Sequence, residues 1–301
     1  MSHSEQPIYS LESMRNMLVS SEIFIDETAR IINQYQNKPM SNSKAVQEMA
    51  DFPKRELVED VFSRGTICVE SAADHYMAYI STLKEPAKTL SPYTCIRSLL
   101  ESSALALWLF EPDIDARVRV GRCFGFRYKE FTEQIKFFES DKVNSPDAQE
   151  QIDKVVKRIE CVEKEAISLG YLPLAKNGKI NGIATYMPET IGLIKKTLDK
   201  ESEYRMLSGV AHCYLWASRQ VGFKVIEVKD EFGHTFKALE KHVHPEMIVF
   251  GINLAVPTFA KVFWTMGKVF GWDIHAIESI LSNTYDAIGF NDNLRFWYPG
   301  K

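Results

Sequence analysis

The sequence predicts a mostly α protein: a multi-helix bundle with an N-terminal helical arm and one small β-hairpin. Three observations carry that prediction. Apolar residues recur at helical spacing along most of the chain, Pro and Gly mark the ends of most periodic segments, and β-branched alternation is confined to one short region.

Leu11, Met14, Leu18, Ile25 and Ile32 set a first amphipathic helix over about 11–36, followed by the polar loop NKPMSNSK. This segment reads as an arm, residues 1–45, laid on a single domain over 46–301. A long helix runs from Glu56 to Leu83 and stops at Glu85-Pro86. Ser91-Pro92 opens a third helix, because proline lacks an N–H that a first turn leaves unpaired anyway, and Glu111-Pro112 ends it. Asp113 caps a fourth, which carries Arg117, Arg119, Arg122 and Arg127 and reaches about Glu139. Ser145-Pro146-Asp147 opens a fifth that ends at Gly170.

The next stretch, YLPLAKNGKINGIATYMPET, is rich in Gly and Pro and has no period, so it reads as a long loop. After a short helix over Glu189 to Leu198, YRMLSGVAHCYLWASRQ reads as one helix from Tyr204 to Gln220, closing a bundle core over about 56–220. FKVIEVKDEFGHTFKALEK forms the hairpin, about 223–240, around its DEFG turn. Pro245 begins an apolar helix to about Phe270, bent or broken near Pro257 because an internal proline removes a hydrogen bond. Asp273 caps a last one, so C-terminal helices fill about 245–290.

With 301 residues and 45% hydrophobic content, the chain can bury a sizeable core. A formal net charge of -4 argues against a protein that coats nucleic acid non-specifically, which needs a surplus of Lys and Arg. Cys68, Cys95, Cys123, Cys161 and Cys213 are scattered over helical segments with no CxxC pair, the pattern of a reduced, cytoplasmic protein. The start, MSHSEQPIYSLESM, lacks the basic-then-apolar order of an export signal. Met247 to Ala260, interrupted by Asn253 and Pro257, falls short of the roughly 20 apolar residues of a membrane span. No membrane association is expected.

The chemistry-bearing feature is Arg205 and His212, seven positions apart. On a continuous helix they project from one stripe about 10 Å apart along the axis, with Ser208 between them. Small residues at Ser208, Gly209 and Ala211 would let another helix or a ligand approach the backbone closely. Such a pair suits metal-independent cleavage of RNA. The imidazole, titrating near neutral pH, would move a proton to or from the 2'-hydroxyl or the leaving oxygen, and the guanidinium would hold the phosphate. One pair is an incomplete acid–base site, which a symmetric homodimer would complete. The alternative is structural, with Arg205 paired to a carboxylate and His212 bonded to a neighbouring helix.

Arg205-x6-His212 resembles the R-x(4-6)-H signature of HEPN domains, a superfamily of helical bundles, many of them dimeric metal-independent ribonucleases in toxin and phage-defence systems. YRMLSGVAH, with CIRSLLESSALALWLFEP upstream, is similar to a group of bacterial helical proteins with HEPN-like folds. The likeness covers about residues 56–220. It implies a HEPN-like bundle and an RNA-directed role in stress or defence, with Arg205 and His212 catalytic. Met206, where active members often carry a polar residue, and the long six-residue gap depart from the pattern. A non-catalytic interaction module of the same fold, with an unknown protein partner, is the alternative.

Other constellations admit two readings each. Arg97 and Glu101, four apart in an apolar run, form a semi-buried ion pair or orient Arg205 and His212. Arg119, Arg122 and Arg127, interleaved with Phe124, Phe126 and Tyr128, present guanidinium groups to phosphates or pair with carboxylates inside the bundle. His242-Val-His244 and Glu231-Phe-Gly-His234 lack the further ligands a metal site needs. Neither a Walker loop, a GxGxxG fingerprint nor a nucleophile elbow occurs, and no cofactor or metal is expected.

Overall fold

The computed structural model describes residues 10–84, 86–141, 147–176 and 179–288. The chain is mostly α, as the periodicity predicts: eleven helices and two two-stranded antiparallel sheets lie among the described residues. It divides into two compact units, one within Met1–Ser43, Gly65–Phe110 and Thr190–Lys301, the other within Lys44–Arg64 and Glu111–Glu189.

The first unit holds α1 (Leu11–Tyr35), the later turns of α3 (Arg55–Leu83), α4 (Ser91–Leu109), α7 (Thr190–Leu198), α8 (Glu201–Ala211), α9 (Leu215–Val221), the hairpin β3 (Phe223–Lys229) and β4 (Thr235–Lys241), α10 (Pro245–Phe270) and α11 (His275–Ala287). Its core is aromatic. Phe24, Tyr76 and Phe259, all fully buried, meet with ring centroids 5.8 to 6.4 Å apart. Since Phe24 sits on α1, that helix is an integral wall of the core. The residues expected to form an arm over 1–45 thus fall into both units, 1–43 in the first and Lys44 onward in the second.

α10 runs as one helix through Pro257, so the break expected there does not occur. Its neighbours Ala255, Val256 and Phe259 are fully buried, and burying one large apolar side chain is worth roughly 1.5–3 kcal/mol, enough over several residues to outweigh the ~3 kcal/mol that an internal proline costs. By length and composition α10 could cross a membrane, yet most of its apolar stretch is buried within the protein. Gly251 permits this close packing: a Cβ there would lie 2.4 Å from the Tyr79 hydroxyl and 2.7 Å from Ile96 Cδ1.

One cation is built into this packing. Lys261 on α10 donates to the Thr197 carbonyl at 2.6 Å, near the end of α7, and burial pulls its ammonium down to about 8 from 10.5. Between those two values the unfolded chain binds the extra proton, so folding gains as pH rises across that window. Wild type should therefore gain stability relative to Lys261→Met between pH 8 and 10, measured by calorimetry at each pH. Parallel pH profiles would contradict this.

The second unit holds α2 (Lys44–Asp51), the first turns of α3, α5 (Ala116–Asp141), α6 (Ala148–Ser168) and the strands β1 (Pro173–Lys176) and β2 (Lys179–Ile183). The segment expected to be a long loop thus contains a second hairpin, with a register shift between Leu174 and Ala175. It is held to α5 at Gly125, where a Cβ would fall 2.1 Å from the Thr185 carbonyl oxygen. Tyr171 packs edge-on against Phe124 and donates its hydroxyl to the Arg117 carbonyl at 2.6 Å.

Candidate functional site

α8 begins with Glu201 and Glu203 in its first turn, where the free N–H groups and the helix dipole favour negative charge. Tyr204, buried on the core side, fixes its orientation. The phenol donates to Glu101 Oε1 at 2.8 Å, the same oxygen accepts from Arg97 Nε at 3.0 Å, and the Arg97 guanidinium stands 5.7 Å over the Tyr204 ring. Burial first, then the neighbouring carboxylate, pushes the phenol pKa up, keeping it a donor. Glu101 and Arg97 therefore brace α8 through Tyr204. Among the described residues no hydrogen bond or ion pair links them to Arg205 or His212.

The next residue, Arg205, points outward with a side chain 62% exposed. Its Nε and Nη2 donate to Glu201 Oε1 at 3.1 and 2.8 Å, and Glu201 also meets Lys195 Nζ at 2.9 Å. Hydrogen bonds from Lys195 and Arg205 lower the Glu201 pKa. An exposed, salt-screened pair of this kind holds its partners weakly, too weakly to withhold the guanidinium from a phosphate.

His212 does not lie on a continuing helix, and here the expected single helix from Tyr204 to Gln220 is corrected. α8 ends at Ala211 with His212 as its C-cap, Cys213 takes a left-handed φ of 57°, and α9 starts at Leu215. Tyr214 N–H donates to Gly209 O at 2.8 Å and Cys213 N–H to Val210 O at 3.0 Å, the paired bonds of a Schellman stop. The imidazole is thus exposed at the helix end, its ring centroid 5.9 Å from that of Tyr214. Ser208, half-buried, lends its carbonyl to the His212 N–H at 3.0 Å.

The turn folds α9 back onto α8 at Gly209. A Cβ there would sit 2.8 Å from Ala217 Cβ and 2.9 Å from Trp216 Cζ2. Gly209→Ala is expected to cost about 1–3 kcal/mol, the price of overpacking, and to shift the Trp216 ring. Thermal melts together with the Trp216 signal in fluorescence check this; an unchanged melt would contradict it. Beyond His212 the chain exposes Tyr214, Leu215 and Trp216, each more than half accessible.

The three arginines expected as phosphate ligands separate sharply. Arg119 is fully buried, donating from Nε and Nη2 to the Glu48 carboxylate at 2.8 and 3.2 Å and from Nη2 to the Glu111 carbonyl at 2.9 Å. Arg122, 10% exposed, pairs with Glu111 at 2.6 Å. Both are held in ion pairs, Arg119 fully buried and Arg122 nearly so, which is the second of the two readings of these arginines. Arg127 alone lines an open cleft of about 470 Å³, with Phe131, Lys157, Arg158 and Cys161, and its Nη1 is 3.7 Å from Asp60. Of the interleaved aromatics, Phe124 is buried, Phe126 lies under Arg64 at 5.7 Å, and Tyr128 donates to the Ile180 carbonyl at 3.0 Å.

Among the described residues no group of three or more His, Cys, Asp or Glu side chains is placed to hold a metal ion. His234 pairs with Asp230 at 3.1 Å, and the His242 and His244 rings meet edge to face at 4.6 Å. Sequence reasoning passed over a pocket beside this second pair, of about 520 Å³, lined by Trp216, Arg219, Gln220, Phe223, Lys224, Val225 and His244. No protein-family model, curated protein or solved structure matches this chain.

Proposed function

We propose that this chain is a HEPN-like RNA-directed protein of the cytoplasm that cleaves RNA without metal, with Arg205 and His212 as its catalytic pair, serving in stress or defence. The observation that carries the reading is the joint exposure of Arg205, within α8, and His212, at its C-cap, on a helix whose other face is anchored by Tyr204 and Glu101. A group needed only for packing would be covered; these are offered to solvent. His212 serves as general acid or base, and Arg205 holds the phosphate once it leaves Glu201. The second proton-transfer group comes from His212 of a second copy, and the exposed Tyr214 and Leu215 next to it are apolar surface for a homodimer seam.

The experiment is cleavage of single-stranded RNA by wild type, Arg205→Ala and His212→Ala, all confirmed folded by circular dichroism, with light scattering for the oligomeric state. Activity lost in both variants supports the reading. Equal activity in all three, or none in wild type, leaves the helical interaction module in its place.

A further inference from the structure

The pocket beside α9 combines three features, aromatic walls, unpaired cations and an imidazole nitrogen without a partner. Trp216, on α9, and Phe223, at the start of β3, are its aromatic walls. Arg219 and Lys224 add two exposed cations, and among the described residues neither has an ion-pair or hydrogen-bond partner. His244, which caps α10, lines the same pocket, and its Nε2 is buried with no hydrogen-bond partner in the protein. Buried polar atoms are nearly always satisfied, so this nitrogen, on a residue that lines the pocket, is a polar group still lacking its partner. Burial first, then the neighbouring His242, keeps this imidazole below its ordinary pKa, so at neutral pH it is uncharged and can accept or donate one bond.

A flat ring, an anion and a hydrogen-bonding edge are the three elements of a nucleotide. Bases stack on indole and phenyl faces whatever their sequence, and phosphates take charge-assisted bonds from Arg and Lys. Trp216 also touches α8 at Gly209, between Arg205 and His212 in sequence, so the pocket adjoins the helix that carries them. We infer that the pocket formed by α9, β3 and His244 binds one nucleotide unit, its base against Trp216 and Phe223, its phosphate on Arg219 and Lys224, and its base edge at His244 Nε2. This deepens the RNA reading, on which the strand's onward path to His212 rests.

The test is equilibrium dialysis of the full chain, in EDTA, with adenosine 5'-monophosphate, with adenosine, with inorganic phosphate and with a single-stranded hexa-adenylate RNA. Saturable binding of one nucleotide per chain is expected, at least tenfold tighter than adenosine or phosphate alone. Trp216→Ala and Arg219→Glu, both at exposed positions, should each weaken it at least tenfold. Tighter binding of the hexamer identifies the nucleotide as part of a strand; tighter binding of the monophosphate identifies a free nucleotide, and either supports the pocket. No saturable binding, phosphate binding as tight as the nucleotide, or folded Trp216→Ala and Arg219→Glu variants with undiminished affinity would overturn it. The two readings fail separately: a chain that binds nucleotide but leaves RNA intact loses the cleavage reading alone, and RNA cleavage without nucleotide binding loses the pocket alone.

Discussion

Replacing Glu48 with Ala is expected to destabilise the protein by about 3–5 kcal/mol, the cost of breaking a buried ion pair by removing one partner. Arg119 is fully buried, and its guanidinium cannot shed its charge. With Glu48 gone it loses the carboxylate that meets its Nε and Nη2, and the Glu111 carbonyl, at 2.9 Å, and the Phe62 ring, 5.4 Å away, carry no net charge that could replace it. Lys44, 3.6 Å from Glu48, would then add repulsion where it now adds attraction. Urea denaturation at neutral pH reads the loss. Replacing both members with apolar residues, Glu48→Leu with Arg119→Met, should recover most of it, because the desolvation cost of both charges disappears together. A single-variant loss below about 1 kcal/mol would mean that water reaches the pair.

The opposite profile is expected at the proposed catalytic pair. His212→Ala and Arg205→Ala should each change stability by less than about 0.5 kcal/mol, since both side chains are exposed and Arg205 gives up only its surface bond to Glu201. RNA cleavage should fall by roughly 10²–10⁴-fold in the histidine variant, the usual contribution of a general acid or base. In the arginine variant the fall is about 10²–10³-fold, the scale of one lost charge-stabilising donor. Glu201→Gln offers a converse: by releasing Arg205 it should tighten RNA binding, read by anisotropy of a labelled strand. A histidine variant that loses stability in step with activity would return His212 to a structural role.

Much of the architecture was legible because it follows from local pattern. The proline and cap signals at Ser91-Pro92 and Pro245 mark the helix starts within a residue, and the alternation after Gly222 marks β3 and β4. What escaped depends on distant partners or atypical stops. Arg119 admits two readings on its own helix, and its partner Glu48, 71 residues earlier, is not announced by any local spacing. The break between α8 and α9 carries no warning because the left-handed residue is Cys213, where such stops usually carry Gly or Asn. That stop moves His212 from the middle of a stripe to a helix end, leaving its identity as a candidate intact and changing its setting. β1 and β2 are short, polar and bulged, so they lack the alternation that betrays a strand. α2 spans just over two turns, with Ala45, Glu48 and Met49 buried, and a pattern that short is lost in a polar loop. The pocket at Trp216, Arg219, Phe223, Lys224 and His244 joins three elements, and no spacing along the chain announces it.

The most direct measurement incubates wild-type protein with single-stranded RNA in excess EDTA and identifies the chemistry of the new ends. Attack by a 2'-hydroxyl under acid–base control leaves a 2',3'-cyclic phosphate and a 5'-hydroxyl, and the account predicts those ends in wild type and their disappearance in His212→Ala. Intact RNA, 5'-phosphate ends, or the same products from the histidine variant would contradict it.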